Sequence, residues 1–144
     1  IKRRYRYRIY GHKNPFLKDR ALFYPYPRDF EALKTMAAII GGYGQFESFA
    51  KRNAQNFTHN CTIYASYWEQ HDGELHYVVE ANRFLRGMVR GLVATQLRMA
   101  RRGTPEAIRD ILDARDCTHA FFDVAGHGLY LEAITYPEGA LSVV

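Results

Sequence analysis

Helices covering a largely antiparallel sheet, an α+β layer architecture, is the fold class the sequence predicts, and three stretches carry it. The first ten residues, "IKRRYRYRIY", alternate arginine with tyrosine at the two-residue side-chain period of a strand. Residues 61–70, "CTIYASYWEQ", and 74–81, "ELHYVVEA", are rich in β-branched and aromatic residues and flank "HDG", which reads as a hairpin. Residues 82–103, "NRFLRGMVRGLVATQLRMARRG", carry apolar residues at helical spacing and read as one long helix.

In chain order, the first strand puts Arg6 and Arg8 on one face and Tyr5, Tyr7 and Ile9 on the other. Residues 11–28 read as a loop whose aromatic segment, 22–26, is held extended by prolines. Asp29 is placed to cap a helix from Phe30 to about Ile40 with Leu33, Met36, Ala37 and Ile40 on its apolar face, and Gly41-Gly42 stops it. Residues 46–50 suit a short helical turn, and 51–60, "KRNAQNFTHN", a polar loop. After the hairpin and the long helix, Thr104-Pro105-Glu106 begins a shorter helix, "PEAIRDILDARD", and "GLYLEAITYP" at 128–137 closes as a strand. The expected order is β–α–β–β–α–α–β, without internal repeat, coiled coil or low-complexity linker.

A chain of 144 residues is one domain or half of a larger unit, and it starts on Ile1, inside the basic strand, as a piece cut from something longer would. Net charge is +5, and Lys2, Arg3, Arg4, Arg6 and Arg8 account for it, because the remaining basic residues balance the 15 acids. Such a stripe points to a polyanion such as RNA; a solvated edge strand using charge against aggregation is the alternative. Cys61 and Cys117 have no metal-type spacing and suit a reducing compartment. The six histidines are scattered without an HExxH or paired ligand set, so no metal site is expected. No segment reaches the ~18 apolar residues of a membrane span.

On a helical wheel, Phe84, Leu85, Met88, Val89, Leu92, Val93 and Met99 fill about half of the long helix, with Arg83, Arg86, Arg90 and Arg98 on the other side. The six arginines from Arg83 to Arg102 meet no acid within the segment, which fits either a solvated face or an RNA backbone. Gly87 and Gly91, one turn apart, each cost ~1 kcal/mol of helix propensity. They suit either small-residue packing or the close approach of another backbone or a ligand to Arg90. Tyr5 and Tyr7 are open to two readings: core filler, or a surface on which a displaced base stacks at ~1–3 kcal/mol. Asp110, Asp113 and Asp116 beside Arg109 and Arg115 suggest solvated ion pairs. The residues alone support an α+β domain with a cationic, aromatic surface suited to RNA.

Three strings together, "RRYRYRIY" at 3–10, "EANRFLRGMVRGLV" at 80–93 and "GLYLEAITYP" at 128–137, resemble the C-terminal half of the TruA family of tRNA pseudouridine synthases. "GGYGQFESFAK" at 41–51 and "ILDARD" at 111–116 fall between them in the matching order. The resemblance implies the ferredoxin-like half of the pseudouridine synthase fold, with residues 1–144 as its C-terminal, cleft-forming and RNA-binding domain. It implies isomerisation of uridine to pseudouridine in the anticodon stem-loop of tRNA, through a flipped uracil and an aspartate acting as nucleophile or base. It also implies no metal or organic cofactor, tRNA as partner, no membrane, a homodimer and a cytoplasmic location.

By residue, the resemblance makes Tyr5 the tyrosine that packs on the target uracil, Arg90 the arginine that pairs with the catalytic aspartate, and Leu129 the apolar pocket wall. Arg4, Arg6, Arg83 and Arg86 are the expected RNA contacts, although the arginines beside Tyr5 either meet the RNA or cover the sheet. The family's aspartate sits in a G-R-T-D-A-G motif that none of Asp19, Asp29, Asp72, Asp110, Asp113, Asp116 or Asp123 matches, so the nucleophile is expected outside this chain, which alone would be inactive. Gly87 and Gly91 replace bulkier polar residues, and "HAFFDVAGHGL" departs from the family's Ala-Pro-rich approach to the last strand. A non-catalytic RNA-binding module that stacks bases on its sheet is the alternative reading, and a structural protein whose basic strand binds a partner chain is a second.

Overall fold

In the computed structural model, which describes residues 1–51 and 58–137, five strands form a mixed sheet with helices on one face. The polar loop expected at 51–60 lies mostly outside the described residues. Strand β1 (Lys2–Tyr10) is followed by the two-residue β2 (Leu22–Phe23), helix α1 (Phe30–Gly41), the hairpin β3 (Ile63–His71) and β4 (Glu74–Ala81), helices α2 (Met88–Arg102) and α3 (Ile108–Ala114), and β5 (Leu129–Thr135).

β1 lies inside the sheet. One edge runs antiparallel to β4 from Arg3 opposite Ala81 to Tyr10 opposite Glu74. The other edge pairs antiparallel with β5 over Lys2 to Tyr7, then parallel with β2 at Ile9 and Tyr10. A central strand rules out the solvated-edge explanation of the arginines; their charge must be met within the sheet. For three of the four it is: Arg4 pairs with Glu80 at 3.1 Å, Arg6 with Glu69 at 2.6 Å and Glu132 at 2.7 Å, and Arg8 with Glu74 at 2.9 Å. Glu132 reaches Arg6 from a bulge, where the pairing steps from Arg4–Ala133 to Tyr5–Leu131 and leaves Glu132 as the extra residue.

The opposite face is apolar, as the alternation requires. Tyr7, Ile9, Tyr77 and Val79 are fully buried beneath α1 and α2, with Leu33, Met36 and Ile40 of α1 and Met88, Leu92 and Val93 of α2 packed on them. α1 is built as the sequence predicts: the Asp29 carboxylate accepts from the Ala32 N–H at 3.1 Å, and Gly42 ends it. Two polar pairs lie inside the core. The Trp68 indole donates to Gln96 at 2.8 Å, and the Ser66 and Tyr77 hydroxyls lie 2.7 Å apart.

The long helix departs from expectation. It begins at Met88 rather than Asn82. Gly87 holds φ +76°, a left-handed conformation that ends any helix arriving from the N-terminal side. Asn82 still belongs to the hairpin, exchanging bonds with Thr62, and the Arg86 carbonyl accepts from the Lys51 N–H at 3.1 Å. Arg83 and Arg86 therefore sit in a loop and have no place on the helical wheel, and the loop is free to carry Phe84 across to Tyr5.

Candidate active site

A cleft of about 590 Å³ opens where the first turn of α2 meets the sheet. Tyr5 of β1 and Leu129 of β5 form its floor, the 84–87 loop and Lys51 its rim, and Arg90 its side. Tyr5 is only partly buried and meets Phe84 edge to face, with ring centroids 4.9 Å apart at 88°. Tyr7, two residues on, is fully buried; its hydroxyl donates to the Ala125 carbonyl, and burial pushes the phenol up to about 12 despite the nearby Arg90 charge. The two tyrosines thus divide the two readings between them: Tyr7 is core, and Tyr5 faces a cavity.

Arg90 stands in the first turn of α2, and its Nε–H donates to the Val124 carbonyl at 2.9 Å. That bond leaves the fork of terminal nitrogens for a planar acceptor such as a carboxylate. The segment supplying Val124 is clamped to α2. Phe122 packs where Gly91 has no side chain: a Cβ built there would lie 2.6 Å from the ring. The Thr95 hydroxyl accepts from the Phe121 N–H at 3.0 Å, and the Val124 N–H closes a turn on the Phe122 carbonyl at 2.9 Å. Of the alternatives for Gly91, a close packing partner is therefore the one realised, and it fixes what Arg90 leans on.

Of the residues expected at the site, Tyr5, Arg90, Leu129 and Arg86 come together in the cleft. Arg83 does not line it; its Nη1 donates to the Thr58 carbonyl at 2.9 Å. Arg4 and Arg6 project from the other face of the sheet, into the ion pairs with Glu80, Glu69 and Glu132. Lys51 and Phe84 are additions to the expected site residues, although each lies inside a string that carries the family resemblance. No Asp or Glu among the described residues lines the cleft. Asp29 caps α1, Asp113 accepts from the Tyr43 hydroxyl, and Asp123 pairs with Arg98.

Glu69, His71 and His76 bring three ligand atoms within 4.8 Å of one another on the open face of the sheet. The Arg6 guanidinium already lies 2.6 Å from Glu69 and 2.9 Å from His76 Nδ1, so a metal ion there would meet a fixed positive charge. The cluster fits an ion-pair network better than a metal site.

Residues 36–137 match the family model described as tRNA pseudouridine synthase. A curated Parabacteroides distasonis protein named tRNA pseudouridine synthase A is 36% identical over 137 residues, covering 94% of this chain and 54% of its own length. Proteins of the same name from Porphyromonas gingivalis (34% identical; 95% of this chain, 56% of its own) and Staphylococcus saprophyticus (32%; 90% and 50%) are similar in extent. The chain spans about half the length of the curated relatives it matches.

Proposed function

The chain belongs to the tRNA pseudouridine synthase family, and we propose that in the full-length protein it forms one wall of the site that isomerises uridine in the anticodon stem-loop of tRNA. The observation that carries this reading is the cleft itself, which joins Tyr5, Arg90 and Leu129 from three separate elements.

The reaction moves no electrons to or from an outside partner. The bond from ribose C1′ to N1 breaks, the freed uracil turns, and C1′ bonds to C5; C5 loses a proton and N1 gains one. Such a change needs a carboxylate, a surface for the unstacked base and proton transfer, and no metal or organic cofactor. Tyr5, braced by Phe84, is the surface and the proton-transfer group; Leu129 keeps the wall apolar. Arg90 is the guanidinium that pairs with the carboxylate, holding it ionised and in line. In this reading the carboxylate comes from a segment of the full-length protein outside these 144 residues, and these residues alone do not turn over substrate.

Arg86 and Lys51 at the rim are proposed to meet RNA phosphates, with Arg83 just outside it. For Arg4 and Arg6, the cross-strand carboxylates favour the sheet-covering role. The full-length protein is proposed to act as a homodimer in the cytoplasm, where tRNA is; the unpaired Cys61 and Cys117 are compatible with a reducing compartment.

Tyr5→Ala in the full-length protein separates catalysis from mere binding. A synthase loses pseudouridine formation in bulk tRNA, measured as release of tritium from C5-labelled uridine. A wild-type protein that binds tRNA but releases no tritium is a binding module, and the reading fails.

A further inference from the structure

We propose that a second groove, along the C-terminal half of α2, is an RNA subsite that holds the tRNA strand leading away from the cleft, with Arg98 and Arg101 for phosphate and Tyr26 for a base. The inference rests on the reading that the cleft takes a tRNA uridine, and it adds where the neighbouring nucleotides go.

Arg90, Ala94, Arg98 and Arg101 stand at i, i+4, i+8 and i+11 of one helix, so they form a single stripe. At ~1.5 Å per residue the stripe carries positive charge roughly 16 Å along α2 from the cleft. At its far end lies a cavity of about 360 Å³, whose lining includes Tyr24, Tyr26, Arg98, Arg101, Asp123 and Val124. Val124 joins the two sites: it lines this groove, and its carbonyl holds Arg90 in the other.

The arginines here are laid on aromatic rings. The Arg101 guanidinium lies 4.5 Å from the Tyr26 ring centroid, and those of Arg98 and Arg102 lie 4.9 Å and 5.5 Å from that of Phe121. Stacking pre-organises the guanidinium plane, so less side-chain freedom is lost when a phosphate binds. Arg98 is partly neutralised by Asp123, whereas Arg101 and Arg102 have no ion pair among the described residues. Tyr26 is half exposed and braced edge-on by Tyr24, at 5.1 Å between centroids. Positive charge interleaved with supported aromatic rings, on the same helix as Arg90, matches a single-stranded polyanion that carries bases.

The test measures binding of bulk tRNA, taken from cells lacking this protein, to the full-length enzyme across a salt series, with turnover measured separately. Arg101→Gln should weaken binding by roughly five- to tenfold near physiological salt and reduce the log–log salt slope by about 1. Its KM for tRNA should rise in step while kcat stays within about twofold of wild type. Tyr26→Ala should weaken binding with the salt slope unchanged, since a stacking contact releases no counterion. Lys34→Gln removes the same charge from α1 and should leave affinity unchanged. Wild-type affinity and slope in Arg101→Gln overturn the proposal, whether the variant merely loses Tm because Arg101 serves the helix dipole or dissociates a dimer because the groove seats a second copy. A protein that binds tRNA through this groove yet forms no pseudouridine would sink the catalytic reading and leave the groove standing.

Discussion

Gly91→Ala would place a methyl carbon 2.6 Å and 2.9 Å from two ring carbons of Phe122. Carbon atoms settle at roughly 3.5–4.0 Å, so the overlap is about 1 Å and Phe122 has to move. Overpacking of this kind costs about 1–3 kcal/mol, against which alanine recovers about 1 kcal/mol of helix propensity. The net expectation is a loss of about 0–2 kcal/mol in urea denaturation of the full-length protein. The functional effect should be larger, because the carbonyl holding Arg90 at 2.9 Å lies two residues beyond Phe122. Misplacing a catalytic group by ~1 Å costs on the order of 10²-fold in rate, so tritium release from C5-labelled tRNA should fall far more than stability does. Adding Phe122→Leu should restore part of both, the coupling expected of residues in contact. A Gly91→Ala protein that gains about 1 kcal/mol and keeps full activity would refute the argument, since helix propensity alone would then describe the site.

Gln96→Leu strands the indole N–H of Trp68, which now donates at 2.8 Å inside the core, and should cost about 1–3 kcal/mol by denaturant titration. Acid should weaken the fold in two stages. Burial above all holds His76 below its ordinary 6.5, so the unfolded chain takes up that proton first as pH falls past 6.5, and stability declines from there. Hydrogen bonds from Arg6 and Arg8 hold Glu69 and Glu74 below their ordinary 4.5, so a further loss sets in as pH falls below that value. Tm followed from about pH 8 to about pH 4 should therefore decline toward acid, and His76→Gln should flatten the part just below pH 6.5.

Most of the fold was legible because its signals are local. The Arg–Tyr alternation, the Asp29 cap and the hairpin each depend on residues within one turn or one strand; Pro105 opens a 3₁₀ turn, and α3 itself runs only from Ile108 to Ala114. The helix start was not legible. Phe84, Leu85 and Met88 extend the apolar spacing of α2 without a break, and only the left-handed Gly87 interrupts it. The partners of the β1 arginines were hidden for another reason: Glu69, Glu74, Glu80 and Glu132 lie on three other strands, more than 60 residues away. At the site, side-chain alternation placed Tyr5 beside the core face, but the roles of Tyr5, Arg90 and Leu129 came from the family resemblance. Nothing in local spacing joins residues 5, 90 and 129; the sheet does, by pairing β1 with β5 beneath the first turn of α2. Gly91 was noticed for the space it leaves, and only the packed Phe122 tells what fills it.

The most direct measurement compares tritium release by the full-length protein with that of its Arg90→Gln variant, tRNA affinity being followed alongside. A guanidinium that braces a carboxylate across the cleft predicts wild-type turnover, a loss of at least about 10²-fold in the variant, and tRNA affinity changed by no more than a few-fold. Undiminished release by Arg90→Gln, or none by the wild-type protein on any tRNA, would contradict it.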